Sequence, residues 1–153
     1  MPKEDQLALE VMPEISHGGL FLDNALCELL AGDGWDAYVK PFRTLEDIYV
    51  LSAMTAWLYG VGQDSDWPQS LQLRLLALIA GCAEVSRQPP GNPAGHVLLG
   101  GLFAQFDALK AEVNQALADG PPEWAVMWTR DQTVMDLAAG ARGKRLAKAL
   151  AAF

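Results

Sequence analysis

Glu14-Ile15-Ser16-His17 is the first stretch of the chain able to do metal chemistry, a carboxylate three residues before an imidazole. On a helix that spacing aims both groups at one ion, but a di-iron bundle needs two such pairs and two further glutamates on facing helices. The other histidine, His96, follows Ala94-Gly95 and has no glutamate three residues before it. Pro13 and Gly18 bracket the first pair, so this segment reads as a loop. Cys27, Cys82, His17 and His96 are four soft ligands, and none is spaced as a C-x-x-C or H-x-x-x-H clip. Both cysteines stand in apolar runs read as helical, where a thiol packs as a small hydrophobe. A nucleophile elbow and the glycine spacing of a phosphate loop are both missing. The carboxylate pairs, Glu46-Asp47 and Asp64 with Asp66, fall where helix starts favour negative charge. These residues offer no catalytic set, no metal centre and no cofactor motif.

Two loops offer a different chemistry. Asp33-Gly34-Trp35-Asp36 and Asp64-Ser65-Asp66-Trp67 each set a large flat side chain among carboxylates beside the end of a helix-forming run. Tryptophan is enriched among the residues that dominate binding energy, and neighbouring acids steer and select a cationic partner. Asp33, Trp35, Asp36, Asp64, Asp66 and Trp67 are therefore the candidate partner-binding residues. They also have a purely structural reading, Asp as a helix cap and Trp folded back onto the core. The basic end of the chain is a third feature: residues 137–153 carry Arg142, Lys144, Arg145 and Lys148 and no acid. Arg142-Gly143-Lys144-Arg145 has the composition of a phosphate grip. An acidic body repels a nucleic acid reaching for so short a patch, so neutralisation of that body, or favourable charge near helix C-termini, is the better reading.

Such groups need elements to position them. Ala and Leu number 23 each, against 16 for Ile, Val and Thr together. Ala and Leu lose little on entering a helix, whereas β-branched residues prefer a pleated strand, so the expected class is all-α. Residues 1–19 read as a short helix or an extended arm. Leu20, Leu22, Ala25, Leu26, Leu29 and Leu30 then predict an amphipathic helix closed by Gly32-Asp33-Gly34. Trp35 to Val39 adds one further turn before Pro41. Thr44 is the expected cap of a helix running to about Tyr59, with Gly60-Val61-Gly62 ending it. Asp66-Trp67-Pro68 opens the next, Asp as cap and Pro in the first turn, to about Ser86.

Pro89-Pro90-Gly91-Asn92-Pro93 is a linker. Beyond it, Leu99, Leu102, Phe106, Leu109, Val113 and Ala116 step by three and four through a helix ending near Asp119. A helix over about 123–139 and a short basic one over 144–152 complete the chain. Between Asp47 and Asp107 lie 59 residues with only five charges: Asp64, Asp66, Arg74, Glu84 and Arg87. Helices apolar nearly all round are buried on most sides, so those over 45–59 and 68–86 are expected at the centre. The architecture expected is a single domain over 1–153, a compact bundle of about six helices around two central apolar helices.

Composition narrows the function. Eleven bases against 19 acids give a net charge of −8, unsuited to a general binder of nucleic acid or anionic membrane, both polyanions. No apolar run approaches the roughly 18 residues of a membrane span, and the polar start, Met1-Pro2-Lys3-Glu4-Asp5-Gln6, does not resemble a secretory signal. With two unpaired thiols this suggests a cytoplasmic protein, and the richness in Ala, Gly, Pro and Leu a bacterial one. The function expected is an acidic, non-catalytic protein-binding module that inhibits or neutralises a partner with a basic surface, as immunity and inhibitor proteins do. Closure of the apolar middle by a second copy or another protein stays open as well. The alternative is a helical bundle binding a small hydrophobic ligand or acting as an enzyme. Trp57, Tyr59, Phe103 and Phe106 would then be its walls, and His96 or Tyr49 its polar contacts.

Overall fold

A computed structural model describes residues 19–153; the Glu14–His17 pair and the rest of 1–18 lie outside the described residues. All regular structure in the described part is helical. Five α-helices follow one another: α1 (Lys40–Asp64), α2 (Gln69–Ser86), α3 (Pro93–Ala118), α4 (Pro122–Asp131) and α5 (Ala139–Leu150). A π-type turn, Trp35–Val39, runs straight into α1, and a 3-10 turn, Gln132–Asp136, links α4 to α5.

Three of the helices are organised by the same spacing. Buried Ile48, Leu51, Thr55 and Leu58 on α1 recur by threes and fours, as do Leu71, Leu75, Leu78, Cys82 and Val85 on α2. Leu99, Leu102, Phe106, Leu109 and Val113 do the same on α3, where the seam ends on buried Leu117 while Ala116 is half-buried. Such seams pack at shallow crossing angles, and they build one continuous core that also takes in Trp128 and Met135. Asn92 starts α3 as a side-chain cap, its amide oxygen accepting the Ala94 N–H at 3.1 Å, with Pro93 in the first turn.

Several boundaries differ from the sequence reading, each for a physical reason. Residues 20–30 form no helix: they have no regular structure, with a bend at Asp23-Asn24, and all eleven are exposed. An isolated helix of that length is marginal in water, and the described residues give its apolar stripe nothing to pack on. The helix expected at Thr44 starts four residues earlier, because Pro41 falls in its first turn, where a missing N–H costs nothing. Thr44 is not a cap; its hydroxyl points back to the Lys40 carbonyl at 3.4 Å. Gly60 and Gly62 do not end α1. A Cβ on Gly62 would lie 3.0 Å from the Trp67 ring, so that glycine lets the indole lie against the helix, which continues to Asp64. The expected helix over 123–139 breaks at Asp131, and α5 begins at Ala139 rather than 144.

The expected central pair also changes. α1 and α2 pack closely on each other, yet α2 keeps a solvent face on which Leu73 is 57% and Leu76 44% exposed. α3 instead is flanked by α2, α4 and α5. Low charge along a helix marks apolar character, and it does not say which side is covered.

Candidate functional site

The two acidic tryptophan loops lie at opposite ends of α1. Its 25 residues put them about 37 Å apart at 1.5 Å per residue, too far to form one surface. At the far end, Trp67 is a core residue, 5% exposed, with its N–H on the Gly62 carbonyl at 2.9 Å and its own carbonyl accepting from Gln72 Nε2 at 2.8 Å. Asp64 and Asp66 are exposed beside it. Asp66 does not cap α2, whose N-cap is Pro68 without a side-chain bond; it occupies a left-handed turn position at φ +52°, which a short polar side chain tolerates. A groove of about 260 Å³ runs from here to the end of α3, edged by Asp66, Glu112 and Asp119. Glu112 is paired with Arg74, and Asp119 accepts from Gln115 Nε2 at 3.0 Å.

The near end is built differently. Asp33 Oδ1 accepts the N–H groups of Trp35 at 3.0 Å and Asp36 at 2.8 Å, and the Asp33 carbonyl takes that of Ala37 at 2.8 Å. Asp33 thus caps the first turn, and Asp36 is paired with Lys40 one turn on. Trp35, held between these carboxylates, stays 60% exposed. It opens a stripe that the sequence reading missed. Tyr38 in the π-type turn, then Phe42, Leu45 and Tyr49 on α1, follow at steps of three or four, on a different side from the buried Ile48–Leu58 seam. Tyr38, Phe42 and Leu45 line an open groove of about 670 Å³ with Arg43 and Glu46 on its rim. The Tyr38 hydroxyl donates to the Ala31 carbonyl at 2.8 Å, tying the end of the arm to the π-type turn. The signal was present as a 3,4,3,4 spacing of aromatic and aliphatic residues, and it was hidden by placing a helix boundary at Pro41.

A third constellation is wholly internal. Asp47, 4% exposed, accepts from Arg142 Nη1 at 2.9 Å and from Arg145 Nη2 through its other oxygen. Arg142 also donates to the Met135 carbonyl at 2.8 Å and lies 3.7 Å from the centre of the Phe103 ring. Burial pushes the Asp47 carboxyl above its ordinary range, opposed by the two guanidiniums. The imidazole of nearby His96 is pushed down by desolvation and by Arg145. Two of the three bases in Arg142-Gly143-Lys144-Arg145 are therefore spent on a carboxylate of the same chain. Every buried side-chain nitrogen and oxygen among the described residues has a hydrogen-bond partner, so this cluster fastens α5 to α1 and presents no idle group to a ligand.

The remaining candidates separate. Cys82 is buried, and desolvation raises its thiol to about 11, which keeps it protonated; Cys27 is exposed on the arm and is no part of a packed helix. Trp57 stacks on Trp128 at 6.4 Å and meets Trp124 edge-on at 6.1 Å, while Phe106 closes on Trp128 from the other side at 6.2 Å. Phe103 lies under Arg142 and Tyr49 faces solvent, so the expected pocket walls do not surround one cavity. The described residues hold no group of three metal-ligating side chains, and none of their helices is long and apolar enough to cross a membrane. No protein-family model, curated protein or solved structure matches the chain.

Proposed function

We propose that this chain is a non-catalytic protein-binding module that recognises a basic surface on another protein and acts by covering it. The observation carrying this reading is Trp35, an exposed indole held between two carboxylates at a rigidly capped helix start. Large flat side chains of this kind anchor interfaces by burial, and a chain of net charge −8 draws a basic partner in by long-range attraction. Asp64 and Asp66, about 37 Å away along α1, add to that field without joining the contact. Trp67 contributes by stiffening the α1–α2 turn. The small-molecule alternative has weaker support, since the cleft edged by Met54, Trp57 and Trp128 is about 240 Å³, below the roughly 300–1,000 Å³ of ligand pockets.

Capture from the source cells at physiological salt is the direct test, with the intact chain as bait. The expected result is retention of a basic protein that is lost with Trp35→Ala and strongly reduced by reversing Asp33 and Asp36 to lysine. Reversal at Asp64 and Asp66 should slow association while leaving the dissociation rate nearly unchanged. Retention indifferent to all of these substitutions would refute the proposal.

A further inference from the structure

The groove between the start of α2 and the end of α3 combines an apolar floor, an idle donor and uncompensated charge. Leu71, Ala116 and the Trp67 ring line it, and at about 260 Å³ it has room for one long side chain. Trp67 itself is 5% exposed. No group among the described residues accepts from its indole N–H. Since every fully buried side-chain nitrogen does have a partner, this N–H is a part of Trp67 that reaches the surface. The Cε3 edge of the ring lies toward Gly62 on α1, which turns the N–H edge the opposite way, into the groove. Indole is a donor only, so it calls for a carbonyl or another neutral acceptor.

Charge calls for a cation beside that acceptor. Glu112 is neutralised by Arg74, whereas Asp66 and Asp119 meet no base among the described residues. α1 and α3 both end here, a Cβ on Gly120 lying 4.0 Å from Ser65 Oγ, and neither helix has a base in its last turn. The negative ends of two long helices outweigh the positive start of α2 and favour a cation. We propose that this groove is a second binding site, for one arginine of an extended segment of another protein. The arginine stem lies on Leu71 and Ala116, its guanidinium spans Asp66 and Asp119, and its backbone carbonyl accepts from Trp67 Nε1. A planar fork of donors suits two carboxylates supplied by different elements better than a compact ammonium does. The site stands at the other end of α1 from Trp35, and the inference does not depend on the proposed function.

Nuclear magnetic resonance of the isotope-labelled full chain tests it, read at the indole N–H of Trp67, which through-space contacts of its ring with Gly62 identify. The probe is N-acetyl-arginine N-methylamide, added at constant ionic strength. The expected result is a saturable shift of the Trp67 signal in the millimolar range, with the Trp35 signal left in place. The citrulline counterpart, which keeps the shape and loses the charge, should bind at least about tenfold more weakly. Asp66→Asn with Asp119→Asn should weaken arginine binding by about tenfold or more. Thermal unfolding of that variant should be nearly unchanged, because both side chains are exposed and asparagine tolerates the left-handed backbone at 66. A Trp67 signal that never moves overturns the inference. So does one that moves equally with citrulline, or equally in the asparagine variant. Capture of a basic protein and its loss with Trp35→Ala are read separately, so the proposed function and this site can each fail alone.

Discussion

Asp47 sits two turns into α1 and is met by two arginines from 95 and 98 residues further along the chain. Each of its oxygens is taken by a different guanidinium, and Arg142 is further fixed by the Met135 carbonyl and the Phe103 face. Removing one charge from a buried, fully hydrogen-bonded cluster leaves the others desolvated without compensation. Asp47→Asn should therefore lower unfolding stability by about 3 kcal/mol, measured by urea denaturation at neutral pH. The comparison is Glu46→Gln, one residue earlier, whose partner Arg43 is solvent-exposed, and which should cost about 1 kcal/mol or less. Equal losses would mean that the cluster does no more than a surface pair. The charge counts favoured a basic tail that offsets the acidic body. They could not show which acid, since Asp47 looked like any carboxylate in the first turns of a helix and the partners meet only through the tertiary fold.

Elements were legible where spacing and punctuation agreed. The α3 seam was visible from Leu99 to Val113, missing only its last member, Leu117, and the proline-glycine linker before it marked the start to within two residues. Glycine was the less reliable sign, because it has two roles that the sequence does not separate: ending a helix, or making room for a neighbour. Gly62 makes room for Trp67, and Gly81 does the same between α2 and α3, where a Cβ would come within 2.5 Å of Leu102 Cδ2. Gly101, mid-way along α3, has open space where its Cβ would be. These two positions should respond to alanine in opposite directions. Gly101→Ala should stabilise by up to about 1 kcal/mol through helix propensity alone. Gly81→Ala gains the same propensity but must displace a side chain that is 9% exposed, and should destabilise by about 1–2 kcal/mol. Matching thermal shifts for the two variants would mean that Leu102 swings away without cost and that the α2–α3 contact is looser than its spacing implies.

At the scale of the whole molecule, class was legible and enclosure was not. The Ala and Leu excess and the scarcity of β-branched residues announced helices. The charge-poor middle announced apolar surface, but which face of α2 would be covered, and whether the Leu20–Leu30 stripe would find a neighbour, are questions about three-dimensional packing that one-dimensional periodicity does not contain. Net charge is a further whole-molecule quantity, and it has a consequence for stability. Nineteen acids against eleven bases leave a surplus of negative charge on a small body, with Arg142 and Arg145 turned inward onto Asp47. The remaining ion pairs are mostly single contacts on exposed side chains, worth little each. Repulsion among the surplus acids should then outweigh attraction at the surface, and screening it should help the folded state. Raising monovalent salt from 10 to 150 mM shortens the Debye length from about 30 to about 8 Å, and the urea midpoint should rise across that interval. The Asp47 cluster, being buried, is screened least and does not reverse the trend. A midpoint that falls with salt would show instead that attractive surface pairs dominate, and that the acidic exterior is held in balance by the basic residues around it.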